Sequence, residues 1–121
     1  MRLLRTSFVL MASLVIVFAL SAPASAADQH RATHPVTGDW AQWNSATNNL
    51  TVCDQSTGNG TAMAILEVIG GNVKTLFDNN GAQPGCGFDG NLNVDDTKSA
   101  YVWVCTDGSA TNCWVRGPFG L

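Results

Sequence analysis

Two kinds of apolar pattern divide the chain. One is a continuous run, from Phe8 to Leu20 and broken only by Ser13; beyond residue 38 the apolar positions come instead in short groups that alternate with polar ones. Alternation with period two marks extended chain, because successive side chains of a strand point to opposite faces. The groups are rich in β-branched and aromatic residues and are bounded by Gly, Asn and Asp, the residues that turns demand. They predict strands over residues 40–44, 49–53, 61–69, 72–78, 91–94, 99–105 and 112–116, and no segment carries a helical period. Val68-Ile69-Gly70-Gly71-Asn72-Val73 is the clearest turn. Its two glycines supply the positive φ angles of a tight hairpin, so the strands on either side should pair antiparallel. Before that turn Ala62, Ala64, Leu66 and Val68 share one face, and Met63, Ile65, Glu67 and Ile69 the other. With both faces largely apolar, this strand is expected to be central and covered on both sides. Tyr101, Trp103 and Cys105 alternate with Val102 and Val104 in a second strand expected to be central. About seven short strands at this spacing predict an all-β fold, a small antiparallel two-sheet sandwich or barrel.

The continuous run has a different meaning. Arg2 and Arg5 precede it, and Pro23 and Ala24-Ser25-Ala26 follow, the layout of a secretory signal peptide with a small-residue cleavage site. Its thirteen residues fall short of the ~20 that span a bilayer. The expected organisation is a signal peptide at 1–26, a flexible N-terminal arm at 27–38, where polar residues, Pro35 and Gly38 dominate, and a single β domain at 39–121. Cleavage would leave 95 of the 121 residues and change the net charge from −3 to −5, since Arg2 and Arg5 are lost and all nine acids stay. Four scattered basic groups, Arg31, Lys74, Lys98 and Arg116, are too few to neutralise a nucleic-acid backbone. An anionic membrane surface is disfavoured for the same reason, and no membrane insertion is expected after signal cleavage. The expected location is extracellular or cell-wall associated.

A chain this short builds a small core and often needs covalent support. All four cysteines, Cys53, Cys86, Cys105 and Cys113, lie beyond the signal, and an even count in an exported chain implies a disulfide framework. Their intervals of 32, 18 and 7 residues do not match zinc-ligand spacing. Of three possible pairings, Cys53 with Cys86 and Cys105 with Cys113 is favoured, because residues 106–112 have the character of a hairpin loop.

Candidate chemistry is sparse. His30 and His34 fall in the expected arm, where no rigid frame would hold a general base against a nucleophile. No catalytic residue and no cofactor are therefore assigned. Glu67 is expected to face outward or to pair with Lys74 across the hairpin. Trp40 and Trp43, with Gln42 and Asn44 beside them, are the candidate ligand-binding residues, since aromatic rings stack on sugars. Three residues apart on a strand, however, they face opposite ways. The favoured function is non-catalytic binding of a protein or cell-envelope partner, with a hydrolase inhibitor as a special case. Its contact surface would be the loops at 57–60, 78–85 and 106–112. A small carbohydrate-binding module for cell-wall glycan, using Trp40 or Trp43, and a secreted enzyme or toxin are the alternatives.

Asp95-Asp96-Thr97-Lys98-Ser99 resembles the double-acid and serine signature of calcium-binding βγ-crystallin Greek keys, although Ala100 stands where that pattern closes with a second Ser. The resemblance implies Asp95, Asp96 and Ser99 as calcium candidates. The wider chain, with Leu50-Thr51-Val52-Cys53-Asp54, Asp78-Asn79-Asn80-Gly81 ahead of Cys86, Val102-Trp103-Val104-Cys105 and the Trp40-Ala41-Gln42-Trp43-Asn44 opening, is similar to small secreted proteins of actinomycete bacteria. That resemblance implies a bacterial extracellular or cell-wall location and a disulfide-stabilised β domain, and no established activity.

Overall fold

A computed structural model describes residues 28–58 and 60–121; the expected signal peptide, 1–26, lies outside the described residues. Alternation places the strands as expected at β2 (Trp40–Asn44), β3 (Asn49–Cys53) and β7 (Ser99–Cys105), and within one to two residues at β4 (Met63–Val68) and β5 (Val73–Phe77). The strand expected at 112–116 forms as β8 (Cys113–Gly120), which runs four residues further, and two strands not expected, β1 (Gln29–Thr33) and β6 (Gly87–Asp89), complete the set. They form two antiparallel four-stranded sheets, ordered β1-β2-β3-β6 and β5-β4-β7-β8. The fold is thus all-β with two layers, and the described residues contain no α-helix. The core lies between the sheets, where Trp43, Leu50, Val52, Leu66, Val102 and Val104 are wholly buried. Each belongs to the inward set of its strand.

The two open sides of the sandwich are closed differently. Where β1 meets β8, the His30 ring stacks on Phe119 with centroids 3.9 Å apart and planes nearly parallel. Where β5 meets β6, Lys74 forms an ion pair with Asp89 at 2.9 Å. That pair is half exposed and contributes about 0–1 kcal/mol.

Several expectations are corrected. Of the arm expected at 27–38, the described residues 28–38 are instead largely structured, since residues 29–33 form β1 and pair in register with β2. Its inward positions are His30, Ala32 and His34, too polar and small to register as a hydrophobic alternation. Residues 91–94 form no strand, because Asn91 adopts the left-handed conformation at φ 54°. Leu92 and Val94 still pack against the core as a loop. The hairpin turn forms with Gly70 at φ 70°, whereas Gly71 does not take a positive φ. Glu67 does not pair with Lys74: the register sets Glu67 opposite Val73 and Lys74 opposite Leu66, so the two side chains point to opposite faces. Strand β4 is central, between β5 and β7. Its outer residues Ile65 and Glu67, however, are half exposed, so only its inner face is covered by a second layer.

Burial of the His30 imidazole, reinforced by the charge of Arg116 and partly opposed by Asp28, holds its pKa below the ordinary histidine value. The unfolded chain therefore binds more protons than the folded one around and below pH 6.5, so stability present above that value is lost as the pH falls toward the folded pKa. Melting temperature should fall from about pH 7.5 to about pH 5, and less steeply in His30→Phe, which keeps the ring and removes the titration. Equal pH dependence in both proteins would contradict the assignment.

Candidate functional site

Antiparallel connectivity gathers four connections at one end of the sandwich: residues 34–39, 54–62, 78–86 and 106–112. Each carries a buried polar residue next to a strand end, namely His34 and Asp39, Asp54, Asp78, and Thr106. These residues join the connections in sequence. Asn112 Oδ1 lies 3.1 Å from His34 Nε2, while His34 Nδ1 accepts from the amides of Val36 and Thr37. This leaves Nε2 as the protonated nitrogen that donates to Asn112. Asp39 Oδ1 accepts from the Gln55 amide at 2.7 Å and from the Ser56 hydroxyl at 3.2 Å. Asp78 Oδ2 accepts from the Asp54 amide at 2.9 Å, and the Asp78 amide donates to the Ala62 carbonyl. Four loops are thereby held as one unit by side-chain hydrogen bonds, two of them to backbone amides that are buried or part-buried.

Both disulfides sit at the same end. Cys53 bonds Cys86 and Cys105 bonds Cys113, with Cα atoms 4.5 and 4.1 Å apart. The second pair lies directly opposite across β7 and β8, which is why the short-loop pairing was readable from spacing. The chain-entropy model assigns the two closures roughly 3.7 and 2.6 kcal/mol. Two closed disulfides, with no free cysteine among the described residues, are the bonding state of an oxidising environment. No helix among the described residues is long and apolar enough to cross a membrane. Within the loop at 106–112, Asp107 accepts from the amide and hydroxyl of Ser109 at 3.0 and 2.9 Å. These bonds, the amide first, hold its carboxyl below the ordinary aspartate value.

The outer faces of the two sheets differ in chemistry. On the β1-β2-β3-β6 sheet, Arg31 donates to Gln42 at 2.8 Å, and its guanidinium lies over the Trp40 ring, 3.7 Å from the centroid. On the β5-β4-β7-β8 sheet, register places Trp103 between Ile65 and Val115 and Tyr101 opposite Glu67. The Trp103 indole N–H donates to Glu67 Oε2 at 3.0 Å. A depression of about 200 Å³ opens there, lined by Ile65, Glu67, Val73 and Trp103, with Ala110 and Cys113 from the disulfide-closed loop and its base.

The residues singled out from sequence fare unequally. Trp43 is wholly buried, so it presents no ring to a ligand, and its indole nitrogen has no partner among the described residues. Trp40 faces the other way and is covered by Arg31. His34 is buried and bonded rather than solvated in an arm. Asp95 Oδ1 accepts from the Thr97 amide and hydroxyl at 3.0 and 2.6 Å and so shapes its own turn. Asp96 is exposed and Ser99 begins β7. Among the described residues no group of three or more His, Cys, Asp or Glu is assembled for a metal. The expected contact loops at 57–60, 78–85 and 106–112 do converge, although Asn59 lies outside the described residues. Asp39, Asp54, Asp78 and the Trp103–Glu67 bond were not foreseen. The available signal was an Asp adjoining the end of a strand three times over. No family model, no curated protein and no solved structure matches the chain.

If the polar links fasten the loops, Asp39→Ala should lower the unfolding free energy by about 1–3 kcal/mol, the cost of stranding buried donors. Asp39→Asn, which keeps one acceptor oxygen, should cost less. Urea unfolding measures both, and a loss under about 0.5 kcal/mol for Asp39→Ala, the ordinary surface value, would contradict the role.

Proposed function

We propose that this chain is an exported, non-catalytic β domain that binds a protein partner outside the cell. Its contact surface is the four-loop end together with the adjoining outer face of the β5-β4-β7-β8 sheet. One observation carries this reading: loops that would otherwise move are joined by buried and part-buried hydrogen bonds and two disulfides. A surface ordered in advance loses little conformational entropy on binding. The signal-peptide layout and the likeness to small secreted actinomycete proteins support export, and the closed disulfides agree with it. A hydrolase inhibitor remains the special case in which the loop closed by Cys105 and Cys113 enters the partner's cleft.

The other readings have less support. A carbohydrate module built on Trp40 or Trp43 lacks an open aromatic platform, given their burial and cover. For catalysis, His34 has both ring nitrogens occupied and His30 is stacked on Phe119, which leaves neither imidazole poised as a base beside a nucleophile.

Photo-cross-linking in cultures of the producing organism tests this. A photoreactive residue at Ala110, in the loop end, should yield a discrete protein adduct, and one at Gln29, on the opposite sheet's outer face, should not. Adducts of equal yield from both positions, or from neither, would contradict the proposed surface.

A further inference from the structure

We infer that the depression beneath the loop at 106–112 receives a cationic side chain, lysine or arginine, from the protein partner; this rests on the binding reading above and names the chemistry recognised there. Of the residues that line it, Glu67 alone carries a charge, and Ile65, Val73, Trp103 and Ala110 supply apolar walls. One Glu67 oxygen, Oε2, is engaged by the Trp103 indole.

No cation of the described chain serves this carboxylate. Lys74, the neighbour expected across the hairpin, faces the other side and pairs with Asp89. Arg31 lies over Trp40 on the opposite sheet. Lys98 is engaged by the Gly70 carbonyl, to which it donates at 2.6 Å at the β4–β5 turn. Arg116 is close enough to His30 to act on its charge. Glu67 therefore presents an uncompensated negative charge on a face that otherwise carries none.

The occupant follows from this lining. A sugar offers hydroxyls around its whole ring and would meet a single polar partner here. Lysine and arginine instead combine an apolar stem with a charged head, which matches apolar walls with one carboxylate. The head would also stand near the Trp103 ring and the tilted Tyr101 ring 6.4 Å from it, a favourable place for a cation. A volume of about 200 Å³ suits one side chain. The −5 charge expected of the mature chain, with Asp107 in the overhanging loop, favours approach of a basic segment.

The test uses the full mature chain, labelled with nitrogen-15, and follows the Trp103 indole N–H signal, assigned by its loss in Trp103→Phe. The probes are blocked single residues of lysine, arginine and the uncharged norleucine, together with N-acetylglucosamine. Lysine and arginine should shift the signal saturably and bind at least about tenfold more tightly than norleucine or the sugar. Glu67→Gln should weaken lysine binding by a similar factor. Val73→Lys, which places a competing cation at an exposed rim position, should do the same without touching Glu67. Equal binding of norleucine, tighter binding of the sugar, or undiminished lysine binding in both variants would overturn the inference. An Ala110 adduct obtained alongside such a result would leave the binding reading standing and remove the cationic pocket alone.

Discussion

The bond from the Gln55 amide to Asp39 Oδ1, 2.7 Å long, is the link on which the loop end depends. A sandwich of two small sheets buries its apolar residues between the layers and has none left to cap its ends. Here the end is covered by four connections, two of which, 54–62 and 78–86, cross from sheet to sheet and carry backbone amides partly out of contact with water. Such amides must find acceptors, or each costs a desolvation penalty. Asp39 and Asp78 supply them from one loop to the next, and His34 joins the last loop through Asn112. The disulfides then close the same region covalently, so loops with few apolar contacts behave as part of the frame.

This division leaves the molecule with two outer faces of different chemistry. The β1-β2-β3-β6 sheet turns a mostly polar outer face to solvent, with its one outer tryptophan covered by Arg31 and Phe88 exposed at its β6 edge. The other sheet leaves Trp103, Tyr101 and Glu67 half exposed beneath a fixed loop. Binding surfaces are commonly loops on a rigid scaffold, and in this chain the rigid scaffold extends into the loops themselves. The depression proposed to accept a cation is the point where the loop end and the aromatic face meet.

Much of the fold was legible because alternation is a direct record of burial. Strands β2, β3 and β7 alternate fully buried residues with half-exposed ones, and their limits follow from that alternation. Strand β1 escaped because its inward residues are His30, Ala32 and His34, whose burial depends on Phe119 and Asn112, distant in sequence. The site was less legible for the same reason. Nothing local distinguishes Asp39, which accepts from Gln55 across sixteen positions, from an ordinary acidic turn residue. For Glu67 the sequence left two readings, an outward position or a pair with Lys74 across the hairpin, and the outward one holds. Register decides between them, since a shift of one residue reverses the face.

Amide hydrogen exchange on the intact, oxidised chain tests the central claim most directly. If the loop end is part of the frame, the amides of Asp54, Gln55 and Thr106 should exchange nearly as slowly as those of Val102 and Val104 in the core strand, since all would open only with global unfolding. Exchange of Asp54 and Gln55 at the rate of unstructured peptide, while Val102 and Val104 stay protected, would show that the loops open independently and would contradict the account.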